Sequence, residues 1–527
     1  MTDPPAPPGL TPSQQAGCAA LQRLLTGALV ASALFLGLLS LLFVWTVIRI
    51  PDPVEYRENA VVITTELLLA GENPYDLQHQ PLFINVYGLG YHWMVLPFAK
   101  IWGPSLLLHR TISATFILLS CAVLYAGLRR TGVSWPLGLA AALLWLVHLA
   151  RGLSLVSRPD SFGMFLFLLS VLVPFLWEFT PGSLCLSLLL GVSGFLAKPY
   201  FLLGVPCTCA YLFAFKSKRA GASYGFGALL LLAATLFVMQ HFFPYYLTDV
   251  LFINANAAKR DLSHLLSVGG EYYRTNFGIV MILVWAIVLG MIRWTTEWRQ
   301  VKQTVGRDGL VNLREQRKPM LGITAGFMPF MLGCNLIVMG TALGLHPGNR
   351  ILYYDQLISP FLYWVVVSQI ERLPRLRIPC LVLLVSTFWA WSPAIQSPPR
   401  MQEQEWRALE SLIGTHRHVL ASAPLAHLLR RQGKPIYATG QTEYFVYGVR
   451  NNQRALSADY LRRGEEFLSL IRSTATTKGF DLVALIDDRW LMPKEILSQN
   501  YVLADSKVVP LHFQGGGRLV HIYYPKP

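Results

Sequence analysis

Two carboxylates three positions apart, Asp52 and Glu55, stand in the stretch RIPDPVEYRENAVV, directly after some twenty-five almost purely apolar residues. Further along, acids and bases gather again at the edges of apolar runs. Arg151, Arg158 and Asp160 share one turn, and Lys198 follows a run alone. Asp249, Lys259, Arg260 and Asp261 share a longer polar segment, and His346, Asn349, Arg350 and Asp355 stand in GLHPGNRILYYD. Ionisable groups at such depth usually line a cavity. A carboxylate there can take a proton from a hydroxyl nucleophile. Arg or Lys beside it can hold the negative charge that grows on a departing phosphate. Acids and cations of this kind are the minimal set for displacing a lipid-linked phosphate from the anomeric carbon of a sugar. Such a donor is already activated, and no nucleotide-binding loop is apparent in the sequence.

The elements that must position these residues follow from composition. The chain has 527 residues, of which 53% are hydrophobic and only 14% charged, too few charges to cover a soluble surface. Apolar runs of bilayer-spanning length read as 24–48, 105–128, 136–150, 161–177, 183–197, 199–215, 222–243, 276–293, 320–343, 354–370 and 376–394. This is a polytopic helical membrane protein of about eleven spans. The net charge of +15 does not point to nucleic acid. Its bases concentrate in the RR at 129–130, KSKR at 216–219, the stretch 293–318 and ERLPRLR at 371–377. With 50–104 read as amphipathic segments lying on the membrane, all of these fall on one side. By the positive-inside rule that side is cytoplasmic. The tail 1–23 is then inside and expected to be disordered. The first span reads as a retained anchor, because it is long and no cleavage site follows it. The candidate chemistry falls on the outer face.

From residue 395 the composition changes. Charges become frequent, and the runs KPIYATG, YFVYGV, DLVALIDD and RLVHIYYP read as strands between helical patterns at 402–413 and 458–473. An α/β domain of about 130 residues, large enough to fold alone, is expected outside the membrane at 395–527. Six of the seven cysteines lie in apolar segments, without metal-ligand spacing, and read as small apolar residues.

Several stretches carry a resemblance. PDPVEYRENAVVITTELLLAGENPYDL (51–77) resembles the first outer loop of the GT-C superfamily of membrane glycosyltransferases, in its bacterial branch of protein-mannosyltransferase and aminoarabinose-transferase type. PLFINVYGLGYHWMVLPFAKIWGPSLLLHRTIS (81–113) resembles the interfacial helix, Gly-Pro turn and span-opening Arg that follow there. RPDSFGMFL (158–166), FLAKPYFLL (195–203) and HPGNRILYYDQLISP (346–360) match three later landmarks in order. The chain departs from the family at YGLGYH, where relatives often carry Tyr-Pro-Pro.

The resemblance implies a transmembrane catalytic domain over 24–394, with interfacial helices in the outer loop 49–104. It implies that Asp52 or Glu55 is the catalytic base, with Asp52 favoured. Their spacing places both on one face if the segment is helical, and Pro51 and Pro53 place Asp52 just before any helix. Arg158, Lys198 and Arg350 would bind the donor phosphate. Asp160, Asn349 and Asp355 would position substrate hydroxyls or orient those cations, and Tyr353 and Tyr354 would stack on a sugar ring. Glu58 and Glu66 read as the solvated face of an interfacial helix, and Arg57 as a solvated or headgroup-paired cation.

The implied activity is inverting transfer of a sugar from a polyprenyl-phosphate donor to an envelope glycan, lipid or protein, outside a bacterial inner membrane. The resemblance names no cofactor. The outer acids permit a divalent cation, and nothing in the sequence demands one. A transporter or flippase of lipid-linked substrates is the competing class. It predicts duplicated halves and helices broken at matching positions, and the sequence shows no such symmetry.

Overall fold

The computed structural model describes residues 12–80, 82–151, 155–253, scattered positions between 277 and 295, 323–345, 355–372, 377–396, 403–451, 456–486, 491–511 and 516–527. Helix α1 runs over Pro12–Arg49. It opens on proline, whose missing N–H is unused in a first turn, and stops before Pro51 and Pro53, which cannot extend it. It begins inside the tail expected to be disordered: residues 12–23 carry Ala, Leu and Gln, good helix formers. Leu29, Ala33, Leu36, Phe43 and Val47 are buried at helical spacing, while Leu24, Leu38, Leu42 and Trp45 stay exposed on the other face. That split is expected of a helix packed on one side and lipid-facing on the other.

After a short turn come α2 (Glu58–Leu69) and α3 (Gly90–Trp102). At 13 residues, α3 rises only about 20 Å, short of the roughly 30 Å bilayer core. The Gly103–Pro104 turn and the Ser105 side chain, which accepts from Leu108 N at 3.2 Å, start α4 (Leu106–Arg130). Then follow α5 (Trp135–Arg151), α6 (Asp160–Leu176), α7 (Pro181–Ala197), α8 (Pro199–Lys216) and α9 (Lys218–Phe242). Helix α8 starts as a tight 3-10 turn and ends as a wide π turn. Next in chain order come α10 (Ile323–Leu345), α11 (Asp355–Arg372) and α12 (Arg377–Gln396). Among the described residues, α1, α4, α8 and α9 are each long and apolar enough to cross a membrane alone, and α5, α6 and α7 are shorter apolar helices.

The C-terminal part starts with α13 (Glu403–Gly414), β1 (Val419–Ala421), α14 (Ala426–Arg431), α15 (Thr442–Asn451) and α16 (Ala458–Thr476). It ends with β2 (Leu482–Leu485), α17 (Lys494–Asn500), β3 (Tyr501–Leu511) and β4 (Gly516–Pro525). The sheet has the order β1-β2-β4-β3, with β1 and β2 parallel and the other pairs antiparallel. Val419, Ala421, Leu482 and Ala484 face Trp406, Leu409 and Ile413 of α13. Leu420, Val483 and Leu485 face Phe467, Leu468 and Ile471 of α16. Both faces are covered, so these strands are continuously apolar rather than alternating.

Two expected strands hold as β2 and β4. The run YFVYGV is helical, within α15: Phe445, Val446 and Val449 are buried together at helical spacing. KPIYATG forms no strand. Ile63 and Leu67 of α2, with Tyr56 and Phe83, pack into the α13 side of this core, so the region between α1 and α4 and the C-terminal part share one apolar interior.

Candidate functional site

The site is built on the segment between α1 and α2. Two buried side chains shape it. Arg110, in the second turn of α4, donates from Nη1 to the carbonyls of Val47 (3.1 Å) and Ile50 (2.5 Å), and from Nη2 to that of Asp52 (2.9 Å). Its Nε and Nη2 also donate to the two oxygens of Glu58, at 2.8 and 2.7 Å. Glu58 further accepts from the backbone N–H groups of Ser157 (2.9 Å), Val54 (2.8 Å) and Glu55 (3.3 Å). Burial alone would push this carboxyl up, but Arg110 and the backbone donors outweigh it and hold it below the ordinary value. The expectation that Glu58 is solvated is thus corrected: both partners are fully buried. The pair ties the end of α1, the start of α2, α4 and the turn before α6.

With the segment folded this way, Asp52 and Glu55 meet different partners. No helix forms until Glu58, so their spacing does not put them on one helical face. Glu55 is fully buried. Its Oε2 accepts from Arg57 N at 2.8 Å, while Oε1 accepts no hydrogen bond and faces Arg158 Nη1 at 3.8 Å. Burial pushes this carboxyl above its ordinary value, against the pull of Arg158 and Arg57.

Arg158 Nε lies 3.1 Å from Asp160 Oδ2, and its Nη2 donates to Tyr87 Oη at 3.2 Å. Lys198 Nζ donates to Asp160 Oδ1 at 2.9 Å, and the ammonium lies over the rings of Tyr87 (5.0 Å) and Tyr200 (4.8 Å). Tyr200 Oη donates to Asp160 Oδ1 at 2.5 Å. Gln356 Nε2 donates to Tyr200 Oη at 2.9 Å and lies 3.3 Å from Asp160 Oδ1. Four sequence candidates, Glu55, Arg158, Asp160 and Lys198, therefore form one cluster.

Local sequence explains the placement. Asp160 opens α6, where a carboxylate meets the positive end of the helix. Lys198 is held extended (φ −160°, ψ 132°) ahead of Pro199. Gly88 lets the chain carrying Tyr87 lie against the end of α7: a Cβ there would stand 1.9 Å from the Leu196 carbonyl oxygen.

Asp52, favoured from sequence, lies apart from that cluster. Its Oδ1 faces His427 Nε2 at 3.1 Å and Arg431 Nη2 at 3.2 Å, both from α14. On that side a cleft of about 580 Å³ opens between the end of α1 and the start of α4, lined by Arg49, Glu66, Leu106, His427, Arg430 and Arg431. Arg57 is neither solvated nor free for headgroups. Its guanidinium lies over the rings of Tyr56 and Tyr444, beside Glu443. Asn349, Arg350, Tyr353 and Tyr354 lie outside the described residues, and Asp355 opens α11. Among the described residues, no three His, Cys, Asp or Glu side chains gather as a metal site.

Sequence reasoning passed over Tyr87, Tyr200 and Gln356. Tyr200 and Gln356 stand close to residues it did weigh, in KPY and YDQ, but an aromatic or amide near a charge carries no signal of its own; Tyr87 lies in YGLGYH, which reads only as a departure from the family pattern. The Glu58–Arg110 pair joins residues 52 positions apart and has no local trace.

No family model matches the sequence, and no curated protein matches it. Solved structures are similar to it in fold, two of one protein among them. One is ArnT from Cupriavidus metallidurans in the apo state, at TM-score 0.52 and 11% identity, covering 93% of this chain and 97% of that one. The other is the same protein bound to undecaprenyl phosphate, with the same score, identity and coverage. The chain has the fold of ArnT, built on several apolar helices.

Proposed function

We propose that this protein is an inverting glycosyltransferase that moves a sugar from a polyprenyl-phosphate donor to an envelope glycan, lipid or protein. The reaction takes place on the outer side of a bacterial inner membrane, with the N-terminus inside and the C-terminal domain outside. One observation carries the reading. A buried carboxylate, Glu55, with an oxygen that accepts no hydrogen bond among the described residues, stands 3.8 Å from a buried Arg158 that shares Asp160 with Lys198. The fold shared with ArnT, which binds undecaprenyl phosphate in one of its structures, supports a donor of that kind.

In this reading Glu55 takes the proton of the acceptor hydroxyl, and its raised pKa suits a base working near neutral pH. The acceptor oxygen attacks the anomeric carbon from the face opposite the phosphate. The bond from that carbon to the phosphate oxygen breaks, and its electron pair leaves with the polyprenyl phosphate. Arg158, Lys198 and Arg57 hold the charge that develops there. Asp160 orients Arg158 and Lys198. Arg350 adds a further phosphate contact, and Asn349, Tyr353, Tyr354 and Asp355 position the sugar; Gln356, next in the chain, reaches Asp160 and Tyr200.

The test compares Glu55→Gln with Asp52→Asn in membranes supplied with a panel of radiolabelled polyprenyl-phosphate sugars. Glu55→Gln should lower transfer by about 10²–10⁴-fold, the usual worth of a positioned base. Asp52→Asn should keep most of it. Normal transfer by a folded Glu55→Gln protein would overturn the assignment.

A further inference from the structure

The C-terminal domain reaches into the cluster through one short segment, Gly440–Tyr444. Gly440 lies directly on the backbone of the outer loop: a Cβ there would stand 2.3 Å from Tyr56 O and 2.5 Å from Arg57 Cα. No other residue type permits that approach without backbone movement. Gln441, fully buried, accepts the Val86 N–H with its side-chain oxygen at 2.6 Å and so pins the chain that carries Tyr87. Thr442 Oγ1 accepts from Thr439 N at 2.9 Å and fixes the turn into α15. Glu443 Oε1 accepts from Tyr56 Oη at 2.9 Å and lies 4.0 Å from Arg57 Nη2. Tyr444 Oη accepts a hydrogen bond from the same Nη2. The Tyr444 and Tyr56 rings lie 5.1 and 4.7 Å from the guanidinium. Arg57 in turn gives its backbone N–H to Glu55, and its charge reaches the Glu55 carboxyl.

An unconstrained arginine side chain spreads over many rotamers. Held by two aromatic rings, a phenol and a carboxylate, it becomes a fixed charge, and fixed charges are what stabilise a developing anion. We propose that Gln441, Glu443 and Tyr444 are positioning residues for the leaving-phosphate site. On this inference, which rests on the transferase reading above, the exported domain completes that site by fixing Arg57 and Tyr87. It is more than a recruiter of acceptor.

The experiment measures binding of two probes, undecaprenyl phosphate and undecaprenol, to the purified full chain, together with thermal unfolding. Their affinity ratio isolates the phosphate contribution. Wild type should prefer the phosphate. The double variant Tyr444→Phe/Glu443→Gln should cut that preference about tenfold or more, the worth of hydrogen bonds to a charged group. Its undecaprenol affinity and unfolding temperature should match wild type, as should all three readouts for the exposed control Arg462→Ala. Gly440→Val, which forces the segment off the loop, should lose the preference altogether. A double variant that keeps the wild-type ratio overturns the inference. So does one that loses both affinities in step with its unfolding temperature, which marks a structural role only. A wild-type protein that does not distinguish the probes overturns the transferase reading, and this inference with it.

Discussion

Replacing Glu58 with Gln removes one charge and almost no volume, yet the structure makes it a severe change. Oε1 accepts from Arg110 Nε and Ser157 N, and Oε2 from Arg110 Nη2, Val54 N and Glu55 N. Whichever way the amide turns, its NH₂ faces at least two donors. The Arg110 guanidinium then stays fully buried without its counter-ion. Removing one partner of a buried pair costs about 3–5 kcal/mol, a large share of the roughly 5–15 kcal/mol that holds a folded protein together. Unfolding of detergent-purified chain, followed by tryptophan fluorescence, should therefore begin several degrees lower for Glu58→Gln. The double replacement Glu58→Leu/Arg110→Met, which leaves no unpaired charge, should be less damaged than Glu58→Gln. The sign of the pH dependence follows from the lowered carboxyl. Its folded pKa lies below the ordinary 4.5, so its stabilisation is complete above 4.5 and is lost as pH falls through the lower folded value. Glu58→Gln should lack that acid-side loss. If Glu58→Gln unfolds at the wild-type temperature, the pair is not what shapes the loop.

Gly88→Ala should lower both stability and undecaprenyl phosphate binding, because its Cβ meets the Leu196 carbonyl, a backbone atom that cannot swing aside; unchanged binding would show that Tyr87 does not need this seat. Asp249→Asn should unfold no lower than wild type at neutral pH. Burial holds the Asp249 carboxyl well above its ordinary value despite Tyr460 and Gln80, so wild type gains stability as pH falls through that raised value while the variant does not. Glu55→Gln should bind undecaprenyl phosphate at least as tightly as wild type by isothermal titration while failing to transfer sugar; weaker binding would contradict the charge argument made below.

What was legible in the sequence is what a bilayer imposes on it. The apolar runs 105–128, 161–177, 183–197 and 222–243 correspond to α4, α6, α7 and α9 within a few residues, because span length is set by membrane thickness. Arg158, Asp160 and Lys198 were legible because charges at the ends of such runs are few. The choice between Asp52 and Glu55 was not. Pro51 and Pro53 rule out a helix there, and without helical periodicity nothing in the sequence says which way each acid turns. That is decided by Arg110, which binds the carbonyls of Val47, Ile50 and Asp52, and by His427 and Arg431, which take the Asp52 carboxylate. Every one of these partners is distant in sequence. The surface reading of Arg57 failed for the same reason, since its partner Tyr444 lies 387 positions away.

Glu55 and Asp160 share one cation, Arg158, with a chemical consequence. Arg158 lies between both carboxylates, and Lys198 is bound to Asp160. While Glu55 is ionised, part of the Arg158 charge is spent on it. In the proposed displacement Glu55 takes up the acceptor's proton as the bond to phosphate breaks, so it becomes neutral while negative charge arrives on the leaving oxygens. Arg158 then loses one anionic neighbour and gains another, at a buried site where such interactions are strong. In the proposed displacement, proton uptake and phosphate stabilisation are coupled through one guanidinium. Asp160 cannot play the part of Glu55. It accepts from Tyr200 and Lys198 as well as facing Arg158, which holds it ionised and leaves it to orient the cations. Among the described residues, Glu55 accepts from Arg57 N on one oxygen and has Arg158 at 3.8 Å from the other, so in the proposed displacement it is the acid of the two that changes its charge.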